Sequence, residues 1–232
     1  MNETQIHRQS NRAFTLIELL VVVAVIALLA AMIFPVTAVV NRNKIQKKAR
    51  VELDQLDMFI QGYKDKLGFY PPGNPNTNHA MTPLYYELAG TKRSAANTGA
   101  TYETLDGSST ISASNLKTAF GVDGIMNSMV GEGSDEGAIA QKFLTGSRPV
   151  PTDTVQADPP DARGAPRILV TSIGWKREPT PIFPGNPRVS PVFYNPINPT
   201  NNPNSYDMWV DVIVGSKTNR ISNWTKEPIV LQ

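Results

Sequence analysis

The sequence predicts an α+β protein: a long N-terminal helix packed on a small antiparallel sheet, with extensive loops. Three observations carry this. Residues 19–34 are sixteen consecutive apolar side chains. A helical period of apolar residues continues from there to Leu67. The strand-like segments come late, and prolines crowd the chain around them: thirteen of the 19 lie between Pro149 and Pro203, which excludes long helices and central strands there.

The apolar segment comes first. From Phe14 to position 40 only Thr15, Glu18, Pro35 and Thr37 interrupt it. A bilayer core needs about 20 helical residues, so 14–40 is a membrane-spanning candidate. It is too long for a signal-peptide core of roughly 7–15 residues. Glu18 stands out, because a carboxylate in such a segment is costly in lipid and calls for a partner or for an interfacial position. Pro35 is expected to kink or locally unwind the helix.

Residues 41–68 read as the amphipathic half of the same helix. Ile45, Ala49, Leu53, Leu56, Phe59 or Ile60, Tyr63 and Leu67 recur at three- and four-residue steps, with charged residues between them. Gly68 ends the pattern, and Pro71-Pro72 forbids its continuation. A globular region of residues 69–232 follows. Its middle, about 73–165, reads as loop-rich: residues 94–118 hold 14 Gly, Ser, Thr or Asn out of 25. Short helices are expected over 81–88 and 116–129. Residues 167–171 are a strand candidate, and 189–194 are another, marked as an edge by Pro191. Residues 205–214 alternate, with Met208, Val210, Val212 and Val214 on one side. A turn at 215–219 returns the chain as a partner strand, giving a C-terminal hairpin over about 205–224.

Composition excludes several function classes. The chain has 232 residues and a formal net charge of +2, far from the basic excess of a protein that coats nucleic acid. It has no cysteine, so disulfides, thiolate metal sites and cysteine nucleophiles are ruled out. Only His7 and His79 offer imidazole chemistry. No nucleotide-binding loop, nucleophile elbow or paired-histidine motif occurs. His79 in its polar turn and the acidic stretch 131–137 read as solvated loops. Trp175, Trp209 and Trp224 read as core or interface anchors. The sequence does not read as an enzyme and implies no cofactor.

The segment Arg12-Ala13-Phe14-Thr15-Leu16-Ile17-Glu18-Leu19-Leu20 and the apolar run behind it resemble the prepilin cleavage and methylation motif of type IV pilins and type II secretion pseudopilins. Basic Arg8 and Arg12 in a short leader match, as does Pro35, twenty-second from Phe14. Ala13 departs, standing where the family usually has Gly. The stretch ending Gly68-Phe69-Tyr70-Pro71 is similar to the helix-to-loop junction of major-type pseudopilins. Tyr206-Asp207-Met208-Trp209 together with Asn223-Trp224 resembles their C-terminal hairpin.

The resemblance implies a pilin-like fold and a leader of residues 1–13. It implies that a membrane prepilin peptidase cuts between Ala13 and Phe14 and methylates the Phe14 amine. Glu18 would then pair with the Phe14 amine of a neighbouring subunit during assembly, with Pro35 shaping the helix. It implies a single-pass inner-membrane protein with its C-terminal domain in the periplasm, assembling with copies of itself or other pilin-like subunits at an inner-membrane platform. Arg42, Lys44, Lys47, Lys48 and Arg50 would by simple charge count keep that domain in the cytoplasm, but the rule weakens for long translocated domains and the specific motif takes precedence. The alternatives are a type IV pilus subunit, major or minor, and a membrane-anchored extracytoplasmic binding or enzymatic domain. Many major pseudopilins hold calcium near this hairpin. Here Asp207 and Asp211 are the only nearby acids before Glu227, and their competing reading is that Asp207 caps the strand start while Asp211 faces solvent.

Overall fold

Helix α1 spans Leu16–Leu67 in a computed structural model that describes residues 15–94, 99–130, 139–145, 153–156, 164–173 and 190–231, with the backbone alone for 32–39 and 153–156. The chain divides into two units, Met1–Asn43 and Lys44–Gln232. In the second, α1 buries Ala49, Leu53, Leu56, Ile60 and Tyr63, the four-three spacing that keeps one stripe on one face. Ile45, Phe59 and Leu67 pack at its margins. Gly68 ends the helix at φ +87°, and its N–H bonds the Lys64 carbonyl at 2.7 Å. Glycine is the residue that enters this left-handed conformation without steric cost.

The expected loop-rich middle contains more structure than its composition suggests. Helix α2 covers Leu84–Ala89, shorter than the expected 81–88 at its start because Pro83 precedes the first turn. Strands β1 (Thr91–Arg93), β2 (Thr101–Thr104), β3 (Thr110–Ser112) and β4 (Ser128–Val130) form a four-stranded sheet in the order β3-β2-β1-β4. Its β1–β4 pair is parallel, so the sheet is mixed. These strands are three or four residues long, too short for a period-2 pattern to stand out, yet threonine suits a half-buried pleated surface. In β2 the alternation is present: Tyr102 and Thr104 are buried, Thr101 and Glu103 exposed.

Helix α3 is Ala113–Phe120 rather than 116–129. Ser112 starts it, its Oγ accepting from the Asn115 N–H at 3.1 Å, and Gly121 stops it in the left-handed region. The rest of the expected helix becomes a turn and β4.

Strands β5 (Asp153–Gln156) and β6 (Arg167–Val170) form a two-stranded antiparallel sheet. The C-terminal sheet has the order β10-β9-β8-β7, with β7 at Val192–Asn195, β8 at Asp207–Val214, β9 at Lys217–Ser222 and β10 at Ile229–Leu231. Strand β7 lies at the edge as Pro191 predicts, and Pro191 itself forms only an isolated bridge to Val170. Met208, Val210, Val212 and Val214 are all buried. The β8–β9 turn is tighter than the expected 215–219: Val214 pairs with Lys217, leaving Gly215 and Ser216 as the loop. Gly215 has φ +67°, the positive value a two-residue hairpin needs at its first loop position. Asn223 and Trp224 lie beyond the strand.

Polar bonds fasten α1 to these layers. The Tyr206 hydroxyl donates to Asp57 at 2.5 Å, and just past the helix end the Tyr194 hydroxyl donates to the Pro71 carbonyl at 2.9 Å. Buried Glu52 accepts from the Ser172 N–H at 3.1 Å and from its hydroxyl.

Candidate functional site

The start of α1 is a reciprocal cap. Glu18 Oε2 accepts from the Thr15 N–H and from Thr15 Oγ1, each at 2.8 Å, while the Glu18 N–H donates to Thr15 Oγ1 at 3.3 Å. This is a capping box, in which Thr at the helix boundary and Glu three residues on satisfy each other's amides. Along the helix behind it, eleven large apolar side chains from Leu16 to Leu29 are each 49–81% exposed. They lie on every side of the helix. An all-round apolar helix of this kind belongs in a protein core, an assembly or a bilayer.

Residues 8–34 match the prokaryotic N-terminal methylation motif. The match supports a type IV pilin-like prepilin motif and a chain processed by prepilin peptidase. It covers the N-terminal residues only. Neither the curated proteins nor the solved structures gave a match.

Within the motif, Ala13 and Phe14 lie outside the described residues. Pro35 lies in α1, and its side chain is likewise outside them. Glu18 is the one motif residue of the expected set whose contacts are defined. The capping role of Thr15 was missed in the sequence, although Thr-x-x-Glu ahead of an apolar run is its signature. Among the described residues no helix is long and apolar enough to cross a membrane; the side chains of residues 32–39 lie outside them.

The calcium candidates have other partners. Asp207 is buried at the start of β8. Its Oδ2 accepts from the N–H groups of Thr200 at 2.8 Å and Asn201 at 3.0 Å, and from Asn201 Nδ2 at 3.0 Å; Oδ1 accepts from the Asn202 N–H at 2.9 Å. Burial raises its pKa, but these hydrogen bonds outweigh it and hold the carboxyl below its ordinary value. Asp211 does not face solvent. It is half-buried and takes a two-pronged bond from Arg220, Nε to Oδ1 at 2.9 Å and NH2 to Oδ2 at 3.0 Å.

Calcium needs six to eight oxygens turned toward it. The oxygens of Asp207 are turned toward N–H groups, and Asp211 already has a cation. Among the described residues no group of three His, Asp or Glu side chains gathers as a metal site. The residues present do not fit a calcium ion at Asp207 and Asp211.

A cation from the protein holds the neighbouring loop. The Arg50 guanidinium donates to the carbonyls of Ser222 at 2.5 Å, Thr225 at 2.6 Å and Lys226 at 3.0 Å. In the sequence Arg50 was one of five basic residues after the apolar segment, with nothing to separate it from the others. His79 also departs from its expected solvated loop: it is half-buried with its ring 5.8 Å from that of Trp209. The acidic stretch 131–137 and Trp175 lie outside the described residues.

Proposed function

We propose that the chain is a structural subunit of a pilus-like filament, closest in kind to a major-type pseudopilin supporting protein export by type II secretion. It waits in the inner membrane with residues 14–40 in lipid and residues 41–232 in the periplasm. Prepilin peptidase removes residues 1–13 and methylates the Phe14 amine, and the mature chain joins copies of itself or other pilin-like subunits at the assembly platform. The match over residues 8–34 carries this reading. The all-round apolar surface of residues 16–31 supports it, because that surface suits both lipid and a bundle of like helices.

In such a bundle apolar burial is exchanged for apolar burial, so pairing of Glu18 with a neighbour's Phe14 amine offers register more than raw stability. The lack of cysteine favours the pseudopilin over a type IV pilus subunit, in which cysteines near the C-terminus are common. Leader removal takes away Glu3, Arg8 and Arg12, a net +1 of the chain's +2. The mature chain is close to neutral, which suits packing of many copies.

Mass spectrometry of the mature N-terminus tests the reading. N-methylphenylalanine at Phe14 is expected. An intact Met1, or a cut after residue 30, overturns it.

A further inference from the structure

A cavity of about 330 Å³ lies against the C-terminal sheet, within the roughly 300–1,000 Å³ range of small-molecule sites. Three parts of the chain converge on it: the turn at 74–79, the loop from β7 to β8, and the side chains of Trp209, Arg220 and Trp224. None of these belongs to the methylation motif, so a ligand site here stands or falls independently of the filament reading.

One wall is an aromatic corner. Trp209 and Trp224 meet edge to face, their centroids 5.8 Å apart at 69°, and His79 meets Trp209 at 65°. Trp209 is fixed by its cross-strand neighbours. On the β7 side it stacks on Phe193 at 5.0 Å, the rings 2° from parallel; on the β9 side the Arg220 guanidinium carbon lies 5.1 Å from its centroid. At the rim Thr77 holds φ +60°. That conformation is unfavourable for a β-branched residue, and strain of this kind collects at ligand sites.

Amide side chains also line the cavity, among them Asn198 and Asn195; the Asn195 Nδ2 donates to the Asn198 carbonyl at 2.9 Å and its Oδ1 accepts the Asn198 N–H at 3.3 Å. The charges are balanced within the protein: Asp207 is filled by N–H donors and Asp211 is paired with Arg220. Burial pushes the His79 imidazole down, against the opposing pull of Asp207, and so favours its neutral form. Of the acids only Asp207 lines the cavity, so an anion would meet its carboxylate and an Arg220 already paired with Asp211, and a cation would find Asp207 filled by N–H donors. A purely apolar ligand would leave the Asn198 side-chain amide without a partner, whereas Asn74, Asn195 and Asn201 are bonded within the protein. A pyranose ring suits this lining: Phe193 and Arg220 cover Trp209, so the sugar's C–H face lies on Trp224 and its hydroxyl groups turn to the amides.

The geometry points to a binding site for a neutral saccharide of one or two pyranose rings, seated at the Trp209–Trp224 corner beside the amides of Asn195 and Asn198. The test uses the full chain in a detergent without a sugar headgroup. Glucose, galactose, N-acetylglucosamine and its β1,4-linked disaccharide are titrated, followed by saturation-transfer NMR and tryptophan fluorescence. At least one sugar gives a saturable response at millimolar concentration or below. Asn198→Trp, on an exposed loop position, fills the cleft and weakens that response at least tenfold without lowering the melting temperature. Trp224→Ala weakens it similarly; should that variant not fold, Asn198→Trp still decides. No saturable response from any of the four sugars, or one that persists unchanged in Asn198→Trp, overturns the proposal.

Discussion

Tyr63 donates its hydroxyl to Glu87 Oε2 at 2.8 Å, and both side chains are fully buried. The bond ties α1 to α2 through the core. Glu87 also accepts the N–H groups of Met126 at 2.9 Å and Asn127 at 3.0 Å, so one carboxylate joins the long helix, the short helix and the approach to β4. Burial raises the Glu87 carboxyl above its ordinary value despite these bonds. A raised acid stabilises the fold below its unfolded value, near 4.3, and loses that contribution as the pH rises through the folded value.

Tyr63→Phe removes a hydrogen-bond donor from the buried Glu87 carboxyl. It is expected to cost about 1–3 kcal/mol at pH 7. The deficit shrinks toward pH 4, where Glu87 takes up its proton. Melting curves of the full chain at both pH values check this; an equal deficit at the two counts against a charged Glu87 at neutral pH.

Glu18 caps the helix through Thr15, the proposed filament adds charge pairing with a neighbour's Phe14 amine, and substitution distinguishes the two. Gln at this position still completes a capping box but carries no charge. Glu18→Gln, Glu18→Ala and Glu18→Leu should all be cleaved after Ala13, and all should assemble poorly, since breaking one half of an ion pair in low dielectric costs about 3–5 kcal/mol. Immunoblots for cleavage and sheared-filament assays for assembly read the two steps. Normal filaments from Glu18→Gln would assign the residue to the cap alone.

Asp207 gathers the loop at 200–202 onto the start of β8. Asn in its place turns an NH2 group toward backbone N–H groups, with an expected cost of about 2 kcal/mol at pH 7. Because the Asp207 carboxyl is held below its ordinary value, its contribution is present above the unfolded value, about 3.9, and fades as the pH falls through the folded one. The gap between wild type and Asp207→Asn should close in acid. Calcium or a chelator should shift neither melting curve, and a saturable heat of calcium binding that Asp207→Asn abolishes would restore the metal.

Arg50 gathers three carbonyls from the end of β9 and the connection to β10. Lys presents a point charge in place of the planar fork, so Arg50→Lys should leave part of this set unbonded and cost about 1–2 kcal/mol. Hydrogen exchange at residues 222–231 should speed up more than at the buried face of α1. Uniform acceleration across the domain would mean that Arg50 supports the whole fold rather than this segment.

The helix was legible because its signals are local and repeated. Ala49, Leu53, Leu56, Ile60 and Tyr63 declare a face by spacing alone, and Gly68 and Pro71 declare its end. The hairpin was legible because Met208, Val210, Val212 and Val214 alternate over eight residues. The sheet of β1 to β4 was not, since strands of three or four residues rich in Ser and Thr give no period and one of their pairings is parallel. Glu52 and Glu87 read as ordinary charges among others. Nothing nearby in sequence reveals that Ser172, or Met126 and Asn127, will reach them.

By itself the sequence determined the long helix, the motif at its start, the place of Glu18 and the strands of the C-terminal hairpin. Each follows from periodicity or from residues within a few positions of one another, where chain geometry leaves little choice. Only the tertiary structure decided which charges meet which partners: Asp207 with the loop at 200–202, Asp211 with Arg220, Arg50 with the carbonyls of residues 222–226. Those contacts join segments five to about 175 residues apart. A buried polar group takes whichever complementary group the packing of apolar layers brings to it, and that packing is a property of the whole chain.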